Sequence, residues 1–525
     1  MGVQVGQILR QAALRAPERV GLVAIDHAAQ TRRELSYGAL DCLARTVAAR
    51  LLAHGLGRGE RVGLLADNSE HFVAAWFGIV YAGGAVVPMA VSSAVPELRY
   101  RISHAFCRVL IHDAARTLSA TESCKEPTLT VQPWLLSELC APGQEPLAHP
   151  VDTSPEDTAL VLYTSGTTGK AKGAAISHAS LMLHTLGLVH HSLQLSADDV
   201  VLCTLPLTHS FGCRMALLAP LFAQSRIVMV SRFSARHTLT LMQTESVSWL
   251  PAVPTMFAAW AEVPGEQRPA CLRWALSAGA PLPDEIARRA GARLGTEVRQ
   301  GYGMTEATFS TINAPPDACV LGSVGKPAWG VEVRVVDEAG HDVPQGETGE
   351  VAVRGHNLMT HYLFDPQATL EVAPDGFLRS GDVGKLDAQG RLYIVDRRKD
   401  LILRGGFNVY PSEVEDVLAA HEAVAQVAVI GKPHAFYGEE VVAVVVARTA
   451  ANASVQAFHD WAAERMSQTK WPRHYAFVAA LPLGPSGKVQ KRVLRQWLAE
   501  GKLTLQDVAP QDAAAASATP GRSDP

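Results

Sequence analysis

Residues 163–178 read "YTSGTTGKAKGAAISH", small and hydroxylated side chains around Gly166 and Gly169 with lysines at 170 and 172. Such a run can cradle an anion. Glycines let backbone N–H groups turn inward, and the hydroxyls of Thr164, Ser165, Thr167 and Thr168 add donors. It is not a P-loop, which needs Gly, four residues, then Gly-Lys-Ser/Thr. Five residues after Gly166 stands Ala171, five after Gly169 stands Ala174, and Lys170 is followed by Ala171. A flexible surface turn has the same composition, although two lysines inside it argue against that reading.

Three later stretches offer complementary chemistry. "RQGYGMTEATFS" (299–310) sets the carboxylate of Glu306 beside Thr305 in a glycine-punctuated turn. A hard cation shared with phosphates wants one or two such protein oxygens. "GFLRSGDVGKLDAQGRLYIVDRRKDLILRGGFNVYPSEVE" (376–415) is dense in charge, with Asp382, Asp396, Arg397 and Lys399. "LPLGPSGKVQKRVLR" (481–495) carries Lys488 after a Pro-Ser-Gly turn, where a solvated lysine is the simplest reading by itself.

The elements that must position these groups follow from pattern. With 525 residues, 48% of them hydrophobic, the chain suits two or more packed domains. A formal charge of −4, with both signs spread along the chain, gives no field for a polyanion and excludes nucleic acid as a partner class. Eight scattered cysteines without a CxxC, and no HExxH, argue against a disulfide framework or zinc site. The longest apolar run, "FVAAWFGIVYAGGAVVPMAV", is broken by glycines and Pro88, and the N-terminus lacks a secretion signal, so a soluble, cytoplasmic protein is expected.

The first 115 residues alternate helical and strand-like segments, as an α/β subdomain would. Residues 141–157 carry four prolines and read as a loop between lobes; a second α/β block runs from "TALVLYTS" to about 330. In "TALVLYTSGTTGKAKGAAISH" one strand enters the glycine segment and a short apolar run leaves it, so a hairpin is predicted, with a helix from Ser177 or His178. Alternating segments after 331 predict a small antiparallel sheet or barrel. An α+β domain follows from near 400, with a helix at Pro411 and Ser412, strands "VAQVAVIG" and "EVVAVVVA" around a "KPHAFYGE" turn, and a helix near 454–467. The last seventeen residues are low-complexity and read as disordered.

In this order and spacing, "YTSGTTGKAKG", "LPLTHSFG", "LSAGAPL" before "QGYGMTEA", "RSGDVGKLD" through "DRRKDLILRGGFNVYPSEVE", and "PSGKVQK" resemble the adenylate-forming superfamily of acyl-CoA synthetases, peptide-synthetase adenylation domains and luciferases, over residues 5–498. The resemblance implies an α/β fold with a large N-terminal domain (1–398) of two α/β subdomains plus a small β-barrel, a small mobile α+β C-terminal domain (399–508), and a tail (509–525). It implies ATP and Mg2+ as cofactors and CoA as co-substrate. A carboxylate first attacks the α-phosphate of ATP, and a thiol then attacks the acyl-adenylate.

By the same resemblance, Thr164, Ser165, Gly166, Thr167, Thr168, Gly169 and Lys172 hold the β- and γ-phosphates. Thr164 and Glu306 coordinate magnesium, Thr305 touches the α-phosphate, and Lys488 bridges carboxylate and phosphate. Gly279, Ala280, Gln300, Gly301 and Tyr302 wall the adenine; Asp382, helped by Arg397, accepts from the ribose hydroxyls. Lys399 is the hinge, and Gly405 and Gly406 belong to the loop shaping the CoA tunnel. His209 positions the carboxylate, unless it is a structural histidine. Val253 to Met256 match the acyl-site segment.

Ala171, Ser380 and "SAGA" depart mildly from the common pattern without removing a needed charge. Arg214, after "HSFG", would favour a dicarboxylate or other polar acid if it faced the acyl pocket; a solvent-exposed place or a salt bridge between lobes is the expectation. The leading reading is an AMP-forming acyl-CoA ligase of the fatty-acid type, monomeric or homodimeric. An alternative loads an acyl carrier protein or an amine, although the chain has no carrier domain. A third, from another class, is a non-catalytic protein that binds nucleotide or acyl-adenylate; Lys488, Glu306 and Asp382 all being present argues against it.

Overall fold

The computed structural model describes residues 3–26, 29–125, 131–164, 171–266, 268–397, 399–448, 454–484 and 487–508. The chain forms two units: Met1–Val395 with Gly484–Lys488, and Asp396–Leu483 with Val489–Pro525. The first unit is built on two large sheets and a smaller one. The first is nine-stranded. Its six central strands, Val298–Tyr302, Trp274–Ala278, Trp249–Ala252, Val200–Cys203, Arg226–Val230 and Val20–Asp26, are parallel. Antiparallel strands finish both edges, Thr31–Ser36 on one side, Thr311–Ile312 and Lys326–Pro327 on the other.

The second sheet runs His361–Tyr362, Gly173–Ser177, Thr158–Tyr163, Ala85–Pro88, Arg61–Leu65, Cys107–His112, Gln132–Leu135. Chain order and sheet membership are therefore interleaved, which corrects the expectation that the proline-rich stretch 141–157 separates two self-contained blocks. Val20–Asp26 joins the sheet of the later block, with Leu22 beside Ile227, and Thr158–Tyr163 joins the earlier strands, with Val86 beside Leu160. Apolar content identifies buried parallel strands, but their partners lie far along the chain, beyond what a local pattern encodes.

The longest apolar run becomes a core helix and a core strand. Ser69 Oγ accepts from the Phe72 N–H, capping the helix Glu70–Tyr81, whose residues from Phe72 to Tyr81 are all buried, and the strand Ala85–Pro88 follows. No helix among the described residues is long and apolar enough to cross a membrane. All eight cysteines are free. The alternating segments after 331 form a four-stranded sheet, Val331–Val336, Gly349–Gly355, Leu378–Leu386 and Leu392–Arg397.

The second unit is α+β. Its central strand Gly438–Ala447 pairs antiparallel with Val424–His434 and parallel with His474–Phe477, over helices Pro411–Ala419, Val455–Ala463 and Lys491–Ala499. The long strands continue through Lys432–His434, so the connecting turn is shorter than "KPHAFYGE" suggests. The helix expected near 454–467 spans Val455–Ala463, with Ser454 Oγ accepting from the Ala457 N–H.

Candidate active site

The glycine-rich segment connects two strands, as its flanks predict. Thr158–Tyr163 and Gly173–Ser177 pair antiparallel, with Tyr163 opposite Gly173, and the Thr164 N–H donates to the Lys172 carbonyl at 2.9 Å. The two strands that flank the segment are thus locked together at its base. Ser165, Gly166, Thr167, Thr168 and Gly169 lie outside the described residues. Ser177 Oγ then accepts from the Ser180 N–H and starts the helix His178–Gly187.

A short strand carries the hairpin to the acidic turn. His361–Tyr362 pairs with Gly173–Ser177, Tyr362 opposite Ala174, while the Met359 N–H donates to the Glu306 carbonyl at 2.7 Å. The Tyr362 hydroxyl donates to Glu306 Oε1 at 2.7 Å. Burial first, and the Glu306 charge second, push the Tyr362 hydroxyl far above its ordinary pKa, so it stays a donor. Lys172 Nζ lies 5.1 Å from the centre of the Tyr362 ring and 3.9 Å from Asp365 Oδ2. Lys172, Tyr362 and Glu306 therefore form one group. Sequence reasoning found its two ends and missed the tyrosine, which sits in "THYLFDP" without a chemical pattern around it.

No group of three His, Cys, Asp or Glu residues that could hold a metal occurs among the described residues. One carboxylate, with one oxygen accepting from a tyrosine, fits Mg2+ arriving with ATP phosphates, which keeps most of its shell as phosphate and water.

The residues expected around the nucleoside lie at the ends of adjacent parallel strands. Ser277 lies beside Gln300 and Ala278 beside Gly301, which puts Gly279 and Ala280 just past one strand end and Tyr302 at the other. Gln300 Oε1 accepts from the Leu282 N–H at 3.3 Å, tying the Gly279–Pro281 turn back to the neighbouring strand. The Tyr302 hydroxyl donates to Asp382 Oδ2 at 2.7 Å. Asp382 is 5% exposed and lies within the strand Leu378–Leu386, so it is more than a turn residue after glycine.

Gly279 has φ +91°, and a Cβ there would stand 3.1 Å from Lys488 Cε and 3.9 Å from Phe211 Cδ1. A side chain at 279 would therefore be strained and would crowd the lysine. The loop Gly484–Lys488 belongs to the first unit, and Thr255 Oγ1 donates to the Gly487 carbonyl at 3.2 Å. The Val253–Met256 segment thus meets the chain at Gly487, next to Lys488.

His209 lies in the turn before the helical run Gly212–Leu218, and its Nε2 is sealed from solvent with no hydrogen-bond partner among the described residues. Burial, then the charges of Lys488 and Arg101, lower its pKa to about 4. At neutral pH His209 is uncharged, which suits a group that positions a carboxylate beside Lys488. Next to it, Ser210 Oγ and Thr308 Oγ1 are 2.9 Å apart, and the Phe211 and Phe309 rings sit 5.2 Å apart, linking this turn to the segment after Glu306.

In the second unit, Arg397 is exposed at the end of the strand Leu392–Arg397, Lys399 occupies the turn after it, and Gly405 and Gly406 form the tip of the hairpin Ile402–Arg404/Phe407–Val409. Both glycines have positive φ, +58° and +83°.

The AMP-binding enzyme family matches residues 9–363, and the AMP-binding enzyme C-terminal domain matches residues 413–488. The chain belongs to the AMP-binding enzyme family. This enzyme is 34% identical over 466 residues to the sulfoacetate–CoA ligase of Cupriavidus necator, covering 87% of this chain and 91% of that one. It is 32% identical over 505 residues to the long-chain-fatty-acid–CoA ligase FadD13 of Mycobacterium tuberculosis, covering 94% and 98%. ATP-bound MatB from Rhodopseudomonas palustris superposes with a TM-score of 0.86 at 32% identity, covering 94% of this chain and 99% of that one. The superfamily expected from the five motifs is thus the one found. The enzyme is an acid–thiol ligase that activates a carboxylic acid as acyl-AMP and uses ATP, Mg2+ and CoA.

Arg214 corrects the sequence reading. It is 1% exposed, and no ion pair joins it to a carboxylate among the described residues. Neither solvent nor a salt bridge between lobes accounts for it.

Proposed function

We propose that this enzyme divides adenylation among the residues the motifs single out. Lys172 and the hydroxyls and amides of 164–169 neutralise the β- and γ-phosphates, and Thr305 steadies the α-phosphate. Gln300, Gly301, Tyr302, Gly279 and Ala280 seat the adenine, and Asp382, with Arg397, takes the ribose. Glu306 and Thr164 hold Mg2+, which supplies charge neutralisation on the phosphates.

Lys488 performs the decisive task. A carboxylate oxygen attacks the α-phosphorus while the bond to the bridging oxygen breaks and pyrophosphate leaves. Two anions must therefore meet, and a compact ammonium between them lowers that barrier. The observation that carries this reading is the approach of Lys488 Cε and Nζ to Gly279, beside neutral His209. In the second half-reaction the CoA sulfur attacks the acyl carbon, the carbon–oxygen bond to AMP breaks, and the thiol proton is lost. Lys399 is the pivot for the change between half-reactions, with 1–398 and 399–508 as the moving bodies, 509–525 a tail outside both, and Gly405 and Gly406 the loop that lets pantetheine approach. The enzyme works in the cytoplasm.

The test separates the half-reactions. Lys488→Ala is expected to abolish ATP–pyrophosphate exchange while leaving thioester formation from supplied acyl-adenylate within a few-fold of wild type. Equal loss of both contradicts the assignment.

A further inference from the structure

The turn that carries His209 is gripped from a distant part of the chain. Asn68 Nδ2 donates to the Leu205 carbonyl at 2.8 Å, and Asn68 Oδ1 accepts from the Leu207 N–H at 3.0 Å. A carbonyl can only accept and an N–H only donate, so these two partners fix which way the amide faces. Between them, the Pro206 carbonyl accepts from the His209 N–H at 3.2 Å, and the His209 carbonyl accepts from the Cys213 N–H at 2.9 Å. One side chain thus holds both residues that flank the acceptor of the His209 backbone.

Asn68 is itself placed by rigid neighbours. It stands between the strand Arg61–Leu65 of the second sheet and Ser69, which caps the helix Glu70–Tyr81, and the Asp67 N–H beside it donates to Asp113 Oδ2 at 3.0 Å. The turn it grips follows the strand Val200–Cys203 of the first sheet. The carboxyl ends of strands from both sheets therefore meet at Asn68, where α/β folds place the loops that handle ligands. On its far side the same turn is tied down again, Ser210 Oγ lying 2.9 Å from Thr308 Oγ1, and a Cβ on Gly212 would collide with the Pro206 carbonyl oxygen. Leu205 and Leu207 are buried, so water is a poor substitute for the two bonds that Asn68 makes.

We propose that Asn68 is a positioning residue for adenylation, acting through His209 by fixing the backbone of the turn that carries it. The inference rests on the reading of His209 as the group that positions the carboxylate, and deepens it by naming what holds that imidazole in place. Without the Asn68 amide, a buried carbonyl and a buried N–H lose their partner, and the turn shifts to recover bonds elsewhere. The imidazole moves with it. A displacement on the ångström scale at a positioning group is enough to slow the encounter of two reactants by tenfold or more.

The experiment measures ATP–pyrophosphate exchange with propanoate, octanoate, palmitate, benzoate and malonate, and takes the acid that wild type turns over fastest into full kinetics. Asn68→Ala is expected to lower kcat/KM for that acid by about 5- to 50-fold while KM for ATP stays within about twofold. In a His209→Gln background the same substitution should cost less than about twofold, because no imidazole is left to misplace. Asn68→Asp keeps the size and the acceptor for the Leu207 N–H but loses the donor to Leu205. It should show the same pattern at about 3- to 10-fold, and it carries the test if the alanine variant does not fold. Equal losses with and without the His209 imidazole overturn the proposal, since they assign Asn68 to the fold alone. So does a kcat/KM within twofold of wild type in both Asn68 variants, or a rise in KM for ATP that matches the loss on the acid. A His209→Gln variant that handles the acid as wild type does overturns the reading of His209 and this inference together. Absence of exchange with all five acids overturns the acid-activating reading and, with it, this inference.

Discussion

Tyr362→Phe deletes one oxygen and keeps the ring. The hydroxyl that goes donates to Glu306 Oε1 at 2.7 Å, and the ring that stays lies 5.1 Å from Lys172 Nζ. A hydrogen bond to a charged group contributes about 1.5–3 kcal/mol, and the buried end of this pair leaves no water of equal quality to replace it. The cation–ring attraction, about 0.5–1 kcal/mol at an exposed lysine, survives in phenylalanine. The loss therefore falls on the orientation of Glu306, and should lower ATP–pyrophosphate exchange by about 10- to 150-fold and raise the Mg2+ concentration needed for half-maximal rate. Thioester formation from supplied acyl-adenylate, which needs no pyrophosphate to leave, should change by less than about threefold. The assay follows both half-reactions across a Mg2+ titration. An exchange rate within threefold of wild type, with an unchanged Mg2+ requirement, would refute the claim that Tyr362 holds the carboxylate.

Gly279→Ala places a Cβ at φ +91° and 3.1 Å from Lys488 Cε; strain of about 1–2 kcal/mol should slow adenylation about tenfold. Normal exchange by this variant would mean that the turn tolerates a side chain. His178 and His209 both have pKa values lowered to about 4 by burial. The unfolded chain therefore binds protons below pH 6.5 that the native state refuses, so stability present at neutral pH is lost as pH falls from about 6.5 toward 4. Each histidine should remove about 2 kcal/mol by pH 5, read as a fall in the urea midpoint from pH 7.5 to pH 5. A flat midpoint over that range would show that neither histidine is held neutral.

What the sequence disclosed was mostly local. The hairpin around the glycine segment was legible because both of its strands and the Ser177 cap lie within twenty residues. The lysine, carboxylate and aspartate positions were legible because motifs carry charged residues at fixed offsets. Sheet membership was not, since Leu22 meets Ile227 and Val86 meets Leu160 across long stretches of chain. Tyr362 was missed because a tyrosine in a two-residue strand has no periodicity; its meaning comes wholly from facing Glu306. Arg214 was misread in the opposite sense. Arginine is seldom buried without a carboxylate, so a surface or ion-paired place is the sound expectation, and only the packing of the run after His209 against the helix His178–Gly187 overrides it.

The short strand His361–Tyr362 has a mechanical consequence. It is paired to the strand that leaves the phosphate hairpin, and through Tyr362 and Met359 it is fastened to Glu306 by both side chain and backbone. Lys172 and Glu306 thus share one rigid support. Neither can drift without carrying the other along.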